Sequence, residues 1–447
     1  MRKILLVWMM LGSSALGADF KAGLARRSIT PTLPIWMSGY AARIRPADGV
    51  VLDLWAKALA IEDNRGSRVV IVTTDLIGLP REISDAVAVR VEKQFGLGRA
   101  RLLLNSSHTH TGPVVWPGIR VMFNLTPEDY RLAELYARKL TDDLVAVTGD
   151  ALHDLAPAVI RVAHGTCGFA SNRRQPSQGG FRIGVNAAGP VDPDVPVLEV
   201  TGKDGNIRAL LFGYACHNTT LGADFYQITG DYAGFAQAEI EKRHPGATAM
   251  FLMLCGADQN PNPRGTLDLA RSHGQSLADA VEHILAGRLT TVRPPLRAAY
   301  STVGLEFAPH ERKSFEQEAL STDAFRQRRA KLMLKAYDEG DPERSVVYPI
   351  QGIRFNKDLT ILALGGEVVV DYALRIKREY PRENMIVAGY SNDVMGYIPS
   401  LRVLKEGGYE PVDSMIYYGH PGPFSEKVED SVMGAVRQVL RKLGARH

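Results

Sequence analysis

The sequence predicts an α/β protein, with mixed β-sheets and packed helices in an α/β or α+β layered fold. Three observations lead to this prediction. A hairpin of two apolar runs is followed by a helix and a third apolar run, this order occurs three times, and polar residues follow the same two strand ends each time. The three strand-strand-helix-strand units share little sequence identity, so they indicate a common plan and no proven duplication.

The first unit begins with a hairpin at residues 54–76, "LWAKALAIEDNRGSRVVIVTTDL", in which two apolar runs flank a polar turn. The helix "REISDAVAVRVEKQFG" follows and ends at a glycine, and "ARLLLNSSH" is the closing strand. Asp75 follows the hairpin, and His108 and His110 follow the closing strand. In an extended chain these two histidines share a face. They form either a metal or acid–base site or an ordinary pair of loop histidines.

The second and third units repeat this order and leave polar residues at equivalent strand ends. The second has a hairpin at 196–217, the helix "GDYAGFAQAEIEKRHPG" and the strand "ATAMFLMLCGADQNP". The third begins near residue 349 and continues with "VVVDYALRIKREYP" and "NMIVAGYSNDVMGY". Strand ends at the edges of sheets position the loops that form pockets. We therefore expect polar residues of all three units to meet there: Asp75, His108, His110, His217, Asp258, Asn260, Glu367, Asn392, Asp393 and Tyr397.

The chain termini and one insertion delimit the predicted domain. Residues 1–17 have the layout of a secretory signal peptide, with Arg2 and Lys3, a short apolar core and small residues before Ala18. This layout predicts a periplasmic or secreted mature protein, residues 18–447. No later segment is long and apolar enough to act as a transmembrane anchor. Residues 310–346 are charged and favour helix, and we expect them to form a solvated surface helix.

Composition excludes some functions and leaves others open. The formal net charge is +4 and there is no basic run, so nothing indicates nucleic-acid binding. The three cysteines are odd in number and far apart, which allows one disulfide plus a free thiol. Cys216 and Cys255 lie in apolar runs and are more typical of core residues. No Cys-x-x-Cys motif indicates a thiolate zinc cluster or a redox site.

The convergent polar residues favour metal-assisted hydrolysis. Two imidazoles and a carboxylate suit Zn²⁺, which lowers the pKa of bound water towards ~7 and polarises a carbonyl. No Gly-x-Ser-x-Gly nucleophile elbow and no phosphate-binding loop occur in the sequence. From the residues alone, Glu367 is either a ligand or the cap of the next helix, and Tyr397 either a ligand or a hydrogen-bond donor.

Other polar residues receive supporting or structural roles. Asp75 and Asp231 are expected to orient a histidine N–H or to bond backbone at a turn. His420, in "YYGHPGP", is a weaker candidate for the border of the pocket. The remaining histidines without an evident partner are interpreted as structural: His153, His164, His244, His273 and His283.

Four ordered motifs resemble the neutral/alkaline, non-lysosomal ceramidases. "HTHTGP" resembles that family's Thr-His-Thr-His-Ser-Gly-Pro signature, and "YACHNTT" with "TGDYAGFAQAEIE" is similar to its second histidine segment. "GGEVVV" and "SNDVMGYIPS…GGYE" resemble its glutamate and tyrosine segments. The resemblance runs from about residue 19 to 440. It implies a single zinc hydrolase catalytic domain over 18–447, without the family's C-terminal immunoglobulin-like domain.

The resemblance also implies roles for individual residues. The zinc ligands would be His108, His217, Glu367 and Tyr397. His110 would face the pocket and help to bind or protonate the substrate, Arg173 of "SNRRQP" would hold a substrate oxygen, and Tyr409 of "GGYE" would be a second pocket tyrosine.

One departure from the family concerns its active-site serine. The family's Asp-x-Ser-Pro-Asn segment reads "DQNPN" here, with Asn260 in place of the serine. Asparagine can donate a hydrogen bond to a developing oxyanion but cannot act as a nucleophile, so the substitution is compatible with attack by activated water.

The sequence therefore supports three hypotheses about function. The first is a secreted, zinc-dependent amidohydrolase that cleaves an N-acyl lipid amide such as ceramide, with possible peripheral contact to a membrane surface. The second is a metal-dependent esterase or other hydrolase of a small substrate. The third is a non-catalytic, metal-containing periplasmic binding protein.

Overall fold

The computed structural model describes residues 19–445, so the predicted signal peptide at 1–17 lies outside the described residues. The strands of the amino-terminal half are as follows: β1 (Phe20–Ser28), β2 (Gly49–Val50), β3 (Trp55–Asp63), β4 (Arg68–Thr74), β5 (Leu102–Ser106), β6 (Ala156–Thr166), β7 (Ala170–Ser177), β8 (Gly180–Asn186), β9 (Asp194–Gly202) and β10 (Ile207–Tyr214). The later strands are as follows: β11 (Gln227–Ile228), β12 (Thr248–Met253), β13 (Gln259–Pro261), β14 (Thr290–Thr291), β15 (Leu296–Glu306), β16 (Ser345–Phe355), β17 (Leu359–Leu364), β18 (Glu367–Val368), β19 (Met385–Ala388) and β20 (Tyr397–Ile398).

The helices include all three crossover helices that the sequence predicts. The α-helices are as follows: α1 (Arg81–Phe95), α2 (Pro127–His153), α3 (Asp231–Arg243), α4 (Leu267–Leu285), α5 (Arg312–Glu318), α6 (Ala324–Asp338), α7 (Val370–Glu379), α8 (Leu401–Glu406), α9 (Met415–Tyr418) and α10 (Val428–Leu443). A 3₁₀ turn at Arg99–Arg101 and a π-helical turn at Tyr409–Asp413 complete the set. Local sequence signals explain two of these helix ends. Helix α1 ends at Gly96, which has the left-handed conformation, and Thr126 and Asp129 form a capping box before α2.

Two mixed sheets carry the predicted units. The larger has the order β12-β10-β9-β6-β1-β3-β4-β5, and the smaller has the order β15-β16-β17-β19. In each unit the second hairpin strand pairs in parallel with the closing strand after the crossover helix, as in β4–β5, β10–β12 and β17–β19. The strand-strand-helix-strand prediction is confirmed, and the parallel pairing sends both strand ends of each unit to the same edge.

The sheets and helices form four layers, α/β/β/α. Residues of β4 show the alternation, because Val69 and Ile71 pack towards the second sheet while Val70 and Val72 pack towards α1 and α2. The outer face of the smaller sheet packs against α7 and α10. Strands buried on both faces explain the near-continuous apolar runs in the sequence. The mixed, layered α/β prediction is therefore confirmed.

The insertion at 310–346 differs from the single solvated helix that we predicted. It contains two helices, α5 and α6, because Phe315 and Met333 are buried between them and form a small apolar cluster of their own. The phenyl ring of Phe325 on α6 also lies 5.3 Å from the ring of Tyr417 on α9. The insertion thus packs against the main domain beside α9.

The state of the three cysteines decides between the roles that the sequence left open for them. Cys167, Cys216 and Cys255 are all free thiols, and Cys216 and Cys255 are buried in apolar clusters. The core alternative is therefore the correct one for these two residues.

Among the described residues, no helix combines the length and apolarity required to cross a membrane.

Candidate metal centre

The ends of the three strand units bring the four predicted ligands to one buried point. His108 follows β5, His217 follows β10, and Glu367 opens β18 directly after β17. Glu367 and Tyr397 are register partners in the parallel pair β18–β20. A bridge between the residues that follow His108 and His217 joins the two histidine segments. Convergence of the first three ligands is thus a direct result of the repeated topology.

The distances between the predicted ligand atoms are short. Nε2 of His108 lies 3.0 Å from Oε2 of Glu367, and Nε2 of His217 lies 3.1 Å from the same oxygen. The hydroxyl of Tyr397 lies 3.2 Å from Nε2 of His217. All four side chains are buried. Glu367 is therefore at the centre of the cluster, and its alternative role as a helix cap is wrong, since Asp258 accepts the N–H at the start of α7 instead.

Backbone carbonyls fix the tautomers of the two central histidines. Nδ1 of His108 lies 2.6 Å from the carbonyl oxygen of Ile77, and Nδ1 of His217 lies 2.9 Å from that of Gly256. Because a carbonyl can only accept, both Nδ1 atoms carry a proton, which leaves both Nε2 atoms as the ones that face Glu367. Burial, followed by the charge of Arg173, lowers the pKa of His217 to about 3, so this imidazole is neutral.

The donor set fits a divalent metal ion. Two imidazole Nε2 atoms converge on one carboxylate oxygen at 3.0 and 3.1 Å, and all three atoms are of the kind that bind a divalent metal ion. Four ligands at ~2.0–2.2 Å around tetrahedral zinc have donor atoms roughly 3.3 Å apart, close to these separations. The carbonyls that hold the histidines are the outer partners usual for metal-binding imidazoles.

His110 lies beside this cluster but differs from the two central histidines. Its Nε2 is 3.1 Å from Nε2 of His108, and the ligand atoms of His108, His110 and His217 all lie within 4.8 Å of one another. Its Nδ1 is buried without a hydrogen-bond partner among the described residues. Burial, followed by the neighbouring imidazoles, lowers its pKa well below the usual value. The imidazole of His110 is therefore neutral, and no carbonyl fixes its tautomer.

The backbone around the two adjacent histidines departs from the extended chain that we predicted. His108 has φ +63°, in the left-handed region, so the premise that the two residues alternate along a strand is wrong. Their rings nevertheless meet at a centroid distance of 4.8 Å. Gly39 lies against His110, and a Cβ there would sit 2.5 Å from the imidazole ring, so only glycine fits.

Two tyrosines that sequence reasoning missed hold Glu367. The hydroxyl of Tyr418 donates to Oε1 of Glu367 at 2.5 Å, and that of Tyr390 lies 3.5 Å from Oε2. The ring of Tyr390 also packs against the imidazole of His108 at 4.4 Å. Burial alone would raise the pKa of Glu367, but His108 and His217 hold it well below its ordinary value. The carboxylate is therefore charged and held by donors on both oxygens.

Arg173 connects the metal cluster to an adjoining set of buried polar groups. Its Nη2 donates to the hydroxyl of Tyr397 at 3.0 Å, and its Nη1 donates to Oδ1 of Asn260 at 3.3 Å. Its Nε donates to Glu410 at 2.8 Å, and Arg174 donates to the other oxygen of that carboxylate. Glu410 was missed by sequence reasoning, although it directly follows the predicted pocket residue Tyr409.

All four predicted catalytic side chains line one cavity of about 170 Å³: His110, Arg173, Asn260 and Tyr409. Tyr397 also borders the cavity, and its ring lies 5.6 Å from that of Tyr409. Oδ1 of Asn260 accepts hydrogen bonds from Arg173 and Thr219, so its amide N–H₂ is available to a ligand. The cavity therefore presents hydrogen-bond donors beside the candidate metal position.

The two aspartates that we expected to support the site hold backbone groups rather than histidines. Asp75 accepts from the backbone N–H of Trp55, and Asp231 from those of Leu221 and Tyr232, so neither orients a histidine. Of the two roles proposed for these aspartates, bonding backbone is the correct one. His420 borders a separate cavity of about 340 Å³, which Tyr418 also lines.

The remaining histidines lie away from the cluster, but several have partners. His164 bonds Asp194, His244 bonds Glu282, and His273 bonds the carbonyl of Pro263. The expectation that these three lack partners is wrong. Their structural interpretation fits these contacts, because the partners lie outside the metal cluster and its cavity.

The fold and the site define an α/β protein with a candidate metal centre of histidine, glutamate and tyrosine at the edge of two stacked sheets. Residues 20–272 match the family model described as "Neutral/alkaline non-lysosomal ceramidase, N-terminal". The chain belongs to this family. The matched range contains both histidine segments, Arg173 and Asn260, whereas Glu367, Tyr397 and Tyr409 lie beyond it.

Relatives and solved structures agree with this assignment. The chain is 25% identical to the neutral ceramidase of Mycobacterium tuberculosis over 248 residues, covering 52% of this chain and 38% of the relative. It is 24% identical to that of Pseudomonas aeruginosa over 257 residues, covering 54% and 37%. Both alignments thus span less than two fifths of the relative's length.

Structural similarity extends over nearly the whole chain. The crystal structure of the P. aeruginosa neutral ceramidase aligns with a TM-score of 0.75 and 19% identity, covering 95% of this chain and 74% of that one. A structure titled "Ceramidase complexed with C2" aligns with a TM-score of 0.73 and 17% identity, covering 94% and 76%. The shared fold therefore extends over much more of the chain than the range 20–272 that matches the family model.

Proposed function

We propose that this protein is a zinc-dependent amidohydrolase that cleaves the amide bond of an N-acyl lipid of the ceramide type. Family membership supports the reaction class, and the names of the relatives support the substrate class. The observation that carries the proposal is the convergence of two imidazole Nε2 atoms on one carboxylate oxygen of Glu367, at 3.0 and 3.1 Å. The proposal includes export from the cytoplasm, on the strength of the leader-like residues 1–17.

The proposed ligands are His108, His217, Glu367 and Tyr397. When bound, zinc supplies Lewis acidity, which polarises a carbonyl and lowers the pKa of water towards ~7. Tyr397 is the only one of the four that also accepts a hydrogen bond from Arg173, at 3.0 Å. That cation stabilises negative charge on the phenol oxygen, which a tyrosine ligand requires.

The cavity residues would bind the reacting amide and stabilise the charge that develops on it. Arg173 and the amide of Asn260 lie together at the cavity wall and can donate to a carbonyl oxygen that becomes negative. Burial keeps His110 neutral, so its imidazole can accept a proton from the attacking water and pass it to the departing nitrogen. Asn260 has no nucleophilic atom, so this account uses water and forms no covalent acyl-enzyme.

The test is hydrolysis of N-acylsphingosine by the purified protein, after chelator treatment and after reloading with zinc. We expect turnover only in the loaded protein, and a loss of about 100-fold or more in Arg173→Gln with zinc content unchanged. Lys21→Gln is the matched control, because its ammonium pairs with Glu62 at the surface, far from the cavity. Turnover of simple esters but of no amide would overturn the amidase assignment.

Export is tested separately by the mature amino terminus of protein recovered from cells that express the full chain. Cleavage after Gly17, with the protein found outside the cytoplasm, is the expected result. An intact Met1 on cytoplasmic protein would contradict this part of the proposal.

A further inference from the structure

The mouth of the catalytic cavity is bordered by exposed apolar side chains. Eleven large apolar side chains are exposed among the described residues, and four of them lie in three short segments that also line this cavity. The segments are the loop at 39–45, strand β8 and the turn Tyr409–Asp413. The four side chains are Ile44, Ile183, Val185 and Val412. We refer to these four side chains as the apolar rim.

The loop at 39–45 holds Ile44 in the open by specific contacts. Tyr40 and Ala41 line the cavity, while Ile44 three residues later is 83% exposed. The buried guanidinium of Arg43 donates to the carbonyls of Ser38 and His110, and the N–H of Ile44 donates to a tyrosine hydroxyl. The loop is thus tied to the site, and the exposure of Ile44 is built into the fold.

Strand β8 and the turn Tyr409–Asp413 present further exposed apolar side chains. Ile183 and Val185 are two residues apart on β8, so they share one face of the strand, and each is 50% exposed. Ile183 also lines the cavity, so the rim is continuous with the cavity wall. Val412, in the turn that begins with the cavity residue Tyr409, is 41% exposed.

Cationic side chains accompany the apolar rim. Arg182 adjoins Ile183 in the sequence of β8 but lies on the opposite face of the strand, where it bonds the neutral side chain of Gln175. Arg264 lines the cavity and bonds the hydroxyl of Tyr40. Exposed apolar side chains with a guanidinium group nearby are a combination that binds the boundary between lipid headgroups and acyl chains.

We propose that the apolar rim docks the protein on a lipid bilayer, with Ile44, Ile183, Val185 and Val412 inserted among the headgroups and the cavity mouth facing the membrane. The biological purpose of docking rests on the proposed function, because an N-acyl lipid resides in a bilayer and must enter the cavity from it. Binding to the bilayer itself requires no turnover and no metal.

The test is co-sedimentation of the full protein with phosphatidylcholine vesicles, with and without phosphatidylglycerol. Ile44→Glu and Val185→Glu each place a charge on the rim without altering a residue that lines the cavity. Transfer of an apolar side chain of this size from water into the lipid is favourable, whereas transfer of a carboxylate is not, so each variant should lower the vesicle partition constant by about tenfold or more. The matched control is Val89→Glu, since Val89 is 66% exposed on α1.

Docking and hydrolysis are separated by a second measurement on the same variants. Cleavage of a short-chain, vesicle-free N-acyl substrate should remain unchanged in Ile44→Glu and Val185→Glu, whereas cleavage of substrate in vesicles should fall with partition. A wild type that does not sediment, or rim variants that sediment like wild type, would overturn the docking proposal. Sedimentation without turnover of any substrate would overturn the proposed function and leave the docking surface standing.

Discussion

Replacing Glu410 with glutamine should destabilise the protein strongly, because this carboxylate balances two buried cations. Its oxygens accept from Nε of Arg173 and Nη1 of Arg174, and all three side chains are at most 5% exposed. Glutamine has nearly the same shape, so the substitution removes the charge without opening a cavity. Arg174 keeps Glu406 as a partner at 3.0 Å, but Arg173 loses its carboxylate.

The magnitude follows from the loss of one partner of a buried ion pair, which costs about 3–5 kcal/mol. Unfolding entropy near 2.1 cal/mol/K per residue gives about 0.9 kcal/mol/K for a chain of this size, so the melting temperature should fall by about 3–5 °C. Calorimetry of wild type and Glu410→Gln at equal concentration and pH measures this shift.

The control is Glu406→Gln, in which the removed carboxylate is 20% exposed and Arg174 keeps Glu410. The expected loss is about 1 kcal/mol, or about 1 °C. Equal shifts in the two variants, or a Glu410→Gln protein that melts within 1 °C of wild type, would refute the claim that this buried pair holds Arg173 in place.

Three further predictions concern the site and a neighbouring carboxylate. Asn260→Ala should lower kcat about 100-fold at unchanged zinc content, because a donor to the developing oxyanion is lost, whereas Asn260→Ser should retain more activity. Tyr418→Phe should weaken zinc binding about 10- to 100-fold in a chelator competition, because Glu367 loses a hydrogen-bond donor, whereas Tyr417→Phe should bind normally. Burial raises the pKa of Asp393 from 3.8 to about 6, so its contribution to stability is present below about pH 4 and is lost as the pH rises through 6. Urea unfolding of Asp393→Asn should therefore gain about 3 kcal/mol relative to wild type between pH 4 and pH 8, and a pH-independent difference would contradict the raised pKa.

The pattern of apolar and polar residues in the sequence was sufficient to predict the strands and helices of the three units and the residues closest to the candidate metal position. Apolar runs, turn residues and helix signals located the three hairpins and crossover helices. Because each unit pairs its second and last strands in parallel, the polar residues after β5, β10 and β17 had to meet at one edge. The convergence of His108, His217 and Glu367 follows from that local rule.

The four-layer arrangement was not predictable in the same way. A run such as "VVIV" in β4 shows that both faces of the strand are buried, but it does not show which layer covers each face. One face meets helices and the other meets a second sheet built from residues more than 200 positions away. That choice is made by tertiary packing.

The supporting residues of the site were also beyond sequence reasoning. Tyr418 is 51 residues from Glu367, and Glu410 is 237 residues from Arg173, so no spacing links the partners. The left-handed backbone of His108 is imposed by surrounding contacts and is uncommon for a residue other than glycine. Tyrosines and carboxylates close to a predicted ligand segment were the only signal that the sequence offered.

The most direct test of the central claim is the zinc content of the purified protein and of four histidine variants. The protein, His110→Ala and His273→Ala should each bind about one zinc per chain, since His110 has no carbonyl that fixes its tautomer and His273 is buried away from the cluster. His108→Ala and His217→Ala should bind none. A wild type that takes up no zinc, or zinc that survives the loss of His108 and His217, would contradict the metal centre derived from the structure.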